Sequence, residues 1–89
     1  SVTSARVLQG VAYFRLGKVT ARQASQLTAG RGRRAGKCNE ARRWFEQSTP
    51  ILDAAEREGQ WQPDEGPRAT QMEQHLSVCG PPRTAQNTV

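Results

Sequence analysis

The order of residues predicts an all-α fold, a helical hairpin followed by a C-terminal capping helix, and three observations carry it. Small and apolar residues recur at steps of three and four in three separate stretches. Glycine-rich or glycine-proline clusters stand between and after those stretches, where a helical chain has to turn. No apolar run is long enough to read as a membrane span, so the apolar positions must find their partners within a thin core. At 89 residues the chain is one small domain, expected over residues 1–80, and folding can bury only about 60–65% of the surface of the unfolded chain. The chain begins at Ser1 and shows no signal-peptide layout, which reads as an excised piece of something longer.

The central helix is expected over residues 38–58. Ala41, Trp44, Phe45, Ser48, Leu52 and Ala55 fall on one face, while Glu40, Arg43, Glu46, Asp53 and Glu56 suit the opposite, solvated one. Gly59 is placed to end the helix in a left-handed cap. Pro50 removes one backbone donor, so a bend is expected there within a single helix.

The first helix is expected over residues 4–28, after a frayed lead in which Thr3 or Ser4 supplies the cap. Its inner stripe reads as Leu8, Val11, Ala12 and Leu16, widened by Val7 and Phe14. Gly10 costs a helix about 1 kcal/mol relative to alanine, which points to another helix packed closely over it. Gly17 is placed to close the helix, and Thr20 with Gln23 resembles a capping box. Continuation through Ala21, Ala24 and Leu27, with a disturbance near Gly17 to Thr20, is the expectation; a short separate helix is the alternative.

Gly30 to Gly36 reads as a mobile, solvated basic connector. It lacks the preceding strand and the lysine-serine/threonine pair of a phosphate-cradling loop. Arg31, Arg33, Arg34 and Lys37 are nevertheless candidate polyanion contacts, restricted to phosphates because no aromatic residue is interleaved to stack on bases. The charge is sharply divided: residues 1–37 hold eight basic residues and no acid, and all eight acids lie beyond them. That asymmetry fits either a basic helix beside an acidic one or an arm for an acidic surface.

Trp61 is the one heavy residue of the corner 59–67 and is expected to plug the end of the helical pair. A third helix follows over residues 66–78, with Ala69, Met72, Leu76 and Cys79 on one face. Gly80, Pro81 and Pro82 stop it, and residues 81–89 read as a flexible tail. His75 stands alone, and no metal or cofactor site is expected from a single histidine and two cysteines. In an antiparallel hairpin of the last two helices Cys38 and Cys79 fall side by side, which makes a disulfide geometrically reasonable; two buried thiols in a reducing compartment are the other reading.

Gly10, Tyr13 and Gly17 in QGVAYFRLG, with Ala41, Phe45 and Ser48 in EARRWFEQS, resemble the two helices of a tetratricopeptide repeat. The stretch Lys18 to Lys37 departs from the pattern and requires a lengthened first helix or an expanded loop. The segments CNEARRWFEQS, REGQW and LSVC, within residues 38–79, look like the final repeat and capping helix of bacterial repeat proteins, many with a serine/threonine kinase domain. No kinase motif is present here. The resemblance implies a regulatory or docking end, cytoplasmic if kinase-linked, although a constitutive disulfide would instead imply an extracytoplasmic setting.

A non-catalytic protein-interaction module, the terminal repeat of a larger signalling or scaffold protein, is therefore the expected function. No nucleophile with a base at motif spacing suggests an enzyme. An isolated repeat leaves an apolar edge, expected on Val7, Leu8, Val11 and Phe14, for self-association, a neighbouring repeat or a protein or peptide partner. No membrane partner is expected; the alternative is a small nucleic-acid-binding domain using residues 1–37.

Overall fold

Two seven-residue rhythms build the molecule. In the first long helix the buried positions include Val7, Gly10, Phe14, Gly17, Ala21 and Ala24, at alternating steps of three and four, with Thr20 buried beside them. In the second they include Cys38, Ala41, Phe45, Ser48, Leu52 and Ala55, with the same alternation. Helices that repeat in this way bury one narrow seam each and pack nearly antiparallel or parallel to one another.

The computed structural model describes residues 2–27 and 31–80, with the side chain of Arg31 excluded. It contains α1, Ser4–Gln26, α2, Arg31–Arg57, and α3, Arg68–Leu76, which runs into a single 3-10 turn, Ser77–Cys79. Among the described residues there is no strand. The expected tail 81–89 lies outside them.

The hairpin register follows from two glycines. A Cβ built on Gly10 would lie 2.7 Å from Ile51 Cγ2 and 3.1 Å from Leu52 Cδ2, and one on Gly17 would lie 2.6 Å from Phe45 Cδ1. As one position climbs α1 its partner descends α2, so the helices are antiparallel. The same register sets Val7 opposite Ala55, Phe14 opposite Ser48 and Ala24 opposite Cys38, a large residue facing a small one at most levels. Phe14 and Phe45 meet with ring centroids 5.7 Å apart, and with Leu52 they form the core, against which Val11, Trp61, Met72 and Leu76 pack. Full burial of each such side chain contributes about 1.5–3 kcal/mol. Ser48, fully buried, satisfies its hydroxyl on the Phe45 carbonyl at 2.8 Å.

Several boundaries differ from expectation. Gly17 does not close α1, and there is no disturbance at Thr20: the helix is unbroken, Thr20 is buried, and its hydroxyl donates to the Leu16 carbonyl at 2.7 Å rather than capping a new helix. The segment 31–36, expected as a loop, forms the opening turns of α2. Extending an established helix gains a backbone hydrogen bond for each residue fixed, and Ala35 and the arginines favour it. Arg34 also donates to the Leu27 carbonyl, tying this start to the end of α1. The stretch that departs from the repeat pattern is thus taken up mainly by longer helices.

Two helix ends, the start of α1 and the end of α2, follow their sequence signals. Thr3 caps α1, its hydroxyl accepting from the Arg6 amide at 3.2 Å. The lead, expected to fray, is instead tied down at Val2, whose amide donates to Glu58 Oε1 and whose carbonyl accepts from Gln60 Nε2. After α2, Gly59 takes φ of 71°. The Gln60 amide then reaches the Ala55 carbonyl and the Gly59 amide the Glu56 carbonyl, the paired bonds of a Schellman cap. Pro50 lies inside α2 on its exposed side, so the donor it lacks is lost where water can serve.

Ion pairs, apolar contacts and a covalent bond hold α3 on the hairpin. Arg68, almost wholly buried, donates to both Asp53 and Glu56, one turn apart on α2. Burial alone would lower the pKa of this guanidinium; hydrogen bonds to Glu56 and Asp53, and then their charges, raise it instead. Met72 and Leu76 supply the apolar contact. At the far end Cys38 and Cys79 are joined in a disulfide with Cα atoms 5.8 Å apart, and Arg42 donates to the Gly80 carbonyl.

Candidate interaction surface

Because α1 spends one seam on α2, its opposite face is fixed by geometry. Leu8, Ala12, Leu16 and Val19, at steps of four, four and three, stand on that outer side. Leu8 is 70% exposed, Leu16 42% and Val19 46%, and Ala12 is exposed between them. These are the large exposed apolar side chains among the described residues. The helix α1 thus carries apolar residues on two opposite sides, one packed on α2 and one exposed.

The expected edge on Val7, Leu8, Val11 and Phe14 is corrected accordingly. Val7 and Phe14 are buried against α2, Val11 is half-buried against the core, and Leu8 alone is open. The rotation arises because the glycines at 10 and 17 turn the seam toward themselves: only they let the backbones approach so closely. Leu16, Ala12 and Val19 were missing from the expected surface, and the signal that locates them is the seven-residue recurrence of small residues on the other side.

The edges of this outer face differ in charge. Arg15 and Arg22, seven residues apart, flank it on one side; both are exposed and make no ion pair among the described residues. On the other side Gln9 Nε2 donates to Tyr13 Oη at 2.9 Å and Gln9 Oε1 accepts from Arg6, so this border has uncharged side chains with one arginine at its start. Tyr13 in turn stacks on Trp44 at 5.6 Å between centroids. The Trp44 indole N–H is buried there without a partner, a cost of about 1–3 kcal/mol offset by the ring's apolar contact. Lys18 turns away from the outer face, its Nζ 4.8 Å from the Phe14 ring centroid and 3.3 Å from Gln71 Oε1.

A cleft of about 200 Å³ between α1 and the corner has Phe14 and Trp61 as walls, with Arg15 and Lys18 facing Asp64 and Glu65. It falls below the roughly 300 Å³ at which small-molecule sites begin. The candidate polyanion residues lie at the start of α2. Arg33 is exposed, Arg34 is held by Leu27, Lys37 Nζ lies 3.9 Å from Glu40 Oε1, and the Arg31 side chain lies outside the described residues. Among the described residues no three His, Cys, Asp or Glu side chains gather where a metal ion could sit, and no helix is long and apolar enough to cross a membrane.

The fold and surface together define a small all-α protein, a disulfide-clamped helical hairpin with one outward apolar face. No family model, curated protein or solved structure matches the chain.

Proposed function

We propose that this chain is a non-catalytic protein-interaction module that receives a helix of a partner on the outer side of α1. The observation that carries the reading is the row Leu8, Leu16 and Val19, exposed on a helix whose opposite side is already buried. Isolated apolar side chains on a surface need no explanation, whereas a row at helical spacing is the complement of another helix. The finer reading is the terminal unit of a tetratricopeptide-like array. It draws support from the close approach at Gly10 and Gly17 and from the burial of Ala41, Phe45 and Ser48, the positions on which the resemblance rests. The placement of α3 along the hairpin fits the role of a capping helix. In such an array the outer face of α1 would meet a helix of the preceding repeat.

Selection from a displayed library of amphipathic helical peptides tests the reading, each binder being mapped by amide chemical-shift changes. Binders are expected to shift residues 8–19 and to lose affinity on Leu16→Asp, a substitution that leaves helicity unchanged because Leu16 lies outside the core. Binders that map elsewhere, or ignore Leu16→Asp, would overturn it. Tight duplex DNA binding with steep salt dependence would favour the polyanion reading of residues 1–37.

A further inference from the structure

We infer that the partner helix is acidic along one edge: an amphipathic segment whose apolar row meets Leu8, Leu16 and Val19 and whose carboxylates face Arg15 and Arg22. The inference rests on the interaction-module reading and adds the chemistry of the occupant. From Leu8 to Val19 the face spans about 16 Å at 1.5 Å per residue, matching a partner of roughly three turns. Ala12, in the middle of the row, leaves a shallow saddle between Leu8 and Leu16 into which a side chain of the partner fits as a ridge enters a groove.

Charge selects among the occupants that such a face could take. The whole of α1 carries Arg6, Arg15, Lys18 and Arg22 and no acid. Lys18 is folded against Phe14 and Gln71, and Arg6 Nη1 donates to Gln9 Oε1 at the start of the opposite border. Arg15 and Arg22 remain along the outer row on one edge; the opposite border of Gln9 and Tyr13 carries a single cation, Arg6, at its amino-terminal end. Asp64 and Glu65 share the cleft with Arg15 but form no ion pair with it among the described residues. A second copy presenting its own α1 would bring no carboxylate to either arginine and would add to the positive field. An acidic helix supplies both carboxylates, and exclusion of water by the adjoining apolar row strengthens each pair over a fully exposed one. Complementarity of this kind governs encounter rate and orientation as well as affinity. With two arginines along one edge and one at the start of the other, the partner's acidic edge favours the Arg15–Arg22 side.

Two synthetic peptides of about fifteen residues test this, sharing one leucine-alanine row and differing only in glutamate or lysine along one edge. Titrations against the full chain by fluorescence anisotropy are run at about 50 mM and about 1 M salt. The glutamate peptide is expected to bind about tenfold more tightly at low salt, the gap closing to about threefold or less at high salt. Arg15→Glu with Arg22→Glu is expected to reverse the preference, and Leu16→Asp to abolish both complexes. Equal binding of the two peptides would overturn the charge inference while leaving helix docking intact. Binding of neither peptide to the folded chain would remove the interaction-module reading itself. A preference lost on Arg33→Glu with Arg34→Glu, but kept on Arg15→Glu with Arg22→Glu, would move the site to the start of α2 and overturn the inference. A dimer in light scattering that Leu16→Asp dissociates would replace the acidic helix with a second copy.

Discussion

Replacing Gly17 with alanine sets two physical effects of opposite sign against each other. Alanine is the better helix former by about 1 kcal/mol in a helix interior. The new methyl group would lie 2.6 Å from both Phe45 Cδ1 and Phe45 Cε1, whereas carbon atoms pack without repulsion at about 3.5–4.0 Å. Phe45 is 3% exposed and wedged against Phe14, so the ring has nowhere to swing and the helices must part by roughly 1 Å. Overpacking of that kind costs about 2–3 kcal/mol, leaving a net loss of about 1–2 kcal/mol after the propensity gain. Gly36 in the same fold isolates the two contributions, because a Cβ there meets nothing within 4 Å. Gly36→Ala should therefore stabilise by about 0.5–1 kcal/mol through propensity alone. For a domain of this size each kcal/mol moves Tm by about 4–8 °C, so thermal unfolding followed by circular dichroism should lower Tm in one variant and raise it in the other. If both variants rise together, the helices do not approach at Gly17 as described, and the register of the hairpin is wrong.

Phe14→Asp places a carboxylate in the core rather than on a docking edge, and should cost at least about 3–5 kcal/mol, seen as lost helicity; a folded variant would restore Phe14 to the surface. Replacing Cys38 and Cys79 together with serine opens a loop of sequence separation 41, and chain entropy alone gives a loss of about 4 kcal/mol. An unchanged denaturation midpoint would mean that the bridge does not form in solution. Arg68→Ala removes both ion pairs at the head of α3; with Asp53 half exposed and Glu56 partly so, the cost should be about 1–2 kcal/mol. It should appear as faster hydrogen exchange confined to residues 68–76, and uniform acceleration across α1 would contradict a local role.

The second helix was the more readable one because its seam contains residues that hydrophobicity counts. Ala41, Phe45, Ser48, Leu52 and Ala55 are all buried, and Trp44 alone sits toward the edge, where Tyr13 covers it. In the first helix the stripe that hydrophobicity marks, Leu8, Ala12 and Leu16, is rotated away from the seam that is buried. Leu8 and Leu16 outweigh glycine on any apolar scale, yet Gly10 and Gly17 lie at the interface for what they lack. A close approach favours the smallest residue, and the seven-residue recurrence from Val7 to Ala24 records that preference. The start of α2 was misread for the opposite reason: Gly32 and Gly36 signal a turn locally, but neither takes a conformation that glycine alone permits, and an adjoining long helix absorbs them. The cap at Gly59 was legible in short-range chemistry, and hairpin geometry allowed the bridge between Cys38 and Cys79 that the structure contains, while leaving two thiols as the other reading.

The disulfide also divides the chain as a mechanical object. Between Cys38 and Cys79 the polypeptide would extend to roughly 140 Å if drawn straight, yet the bridge fixes those two Cα atoms 5.8 Å apart. Tension applied through the two ends of the chain would pass across the sulfur atoms, leaving α3 and most of α2 slack inside a closed ring. Under load α1 would peel away first, and the rest of the contour would be released only after chemical reduction, so the length gained in a single-molecule pull would report the redox state of one bond.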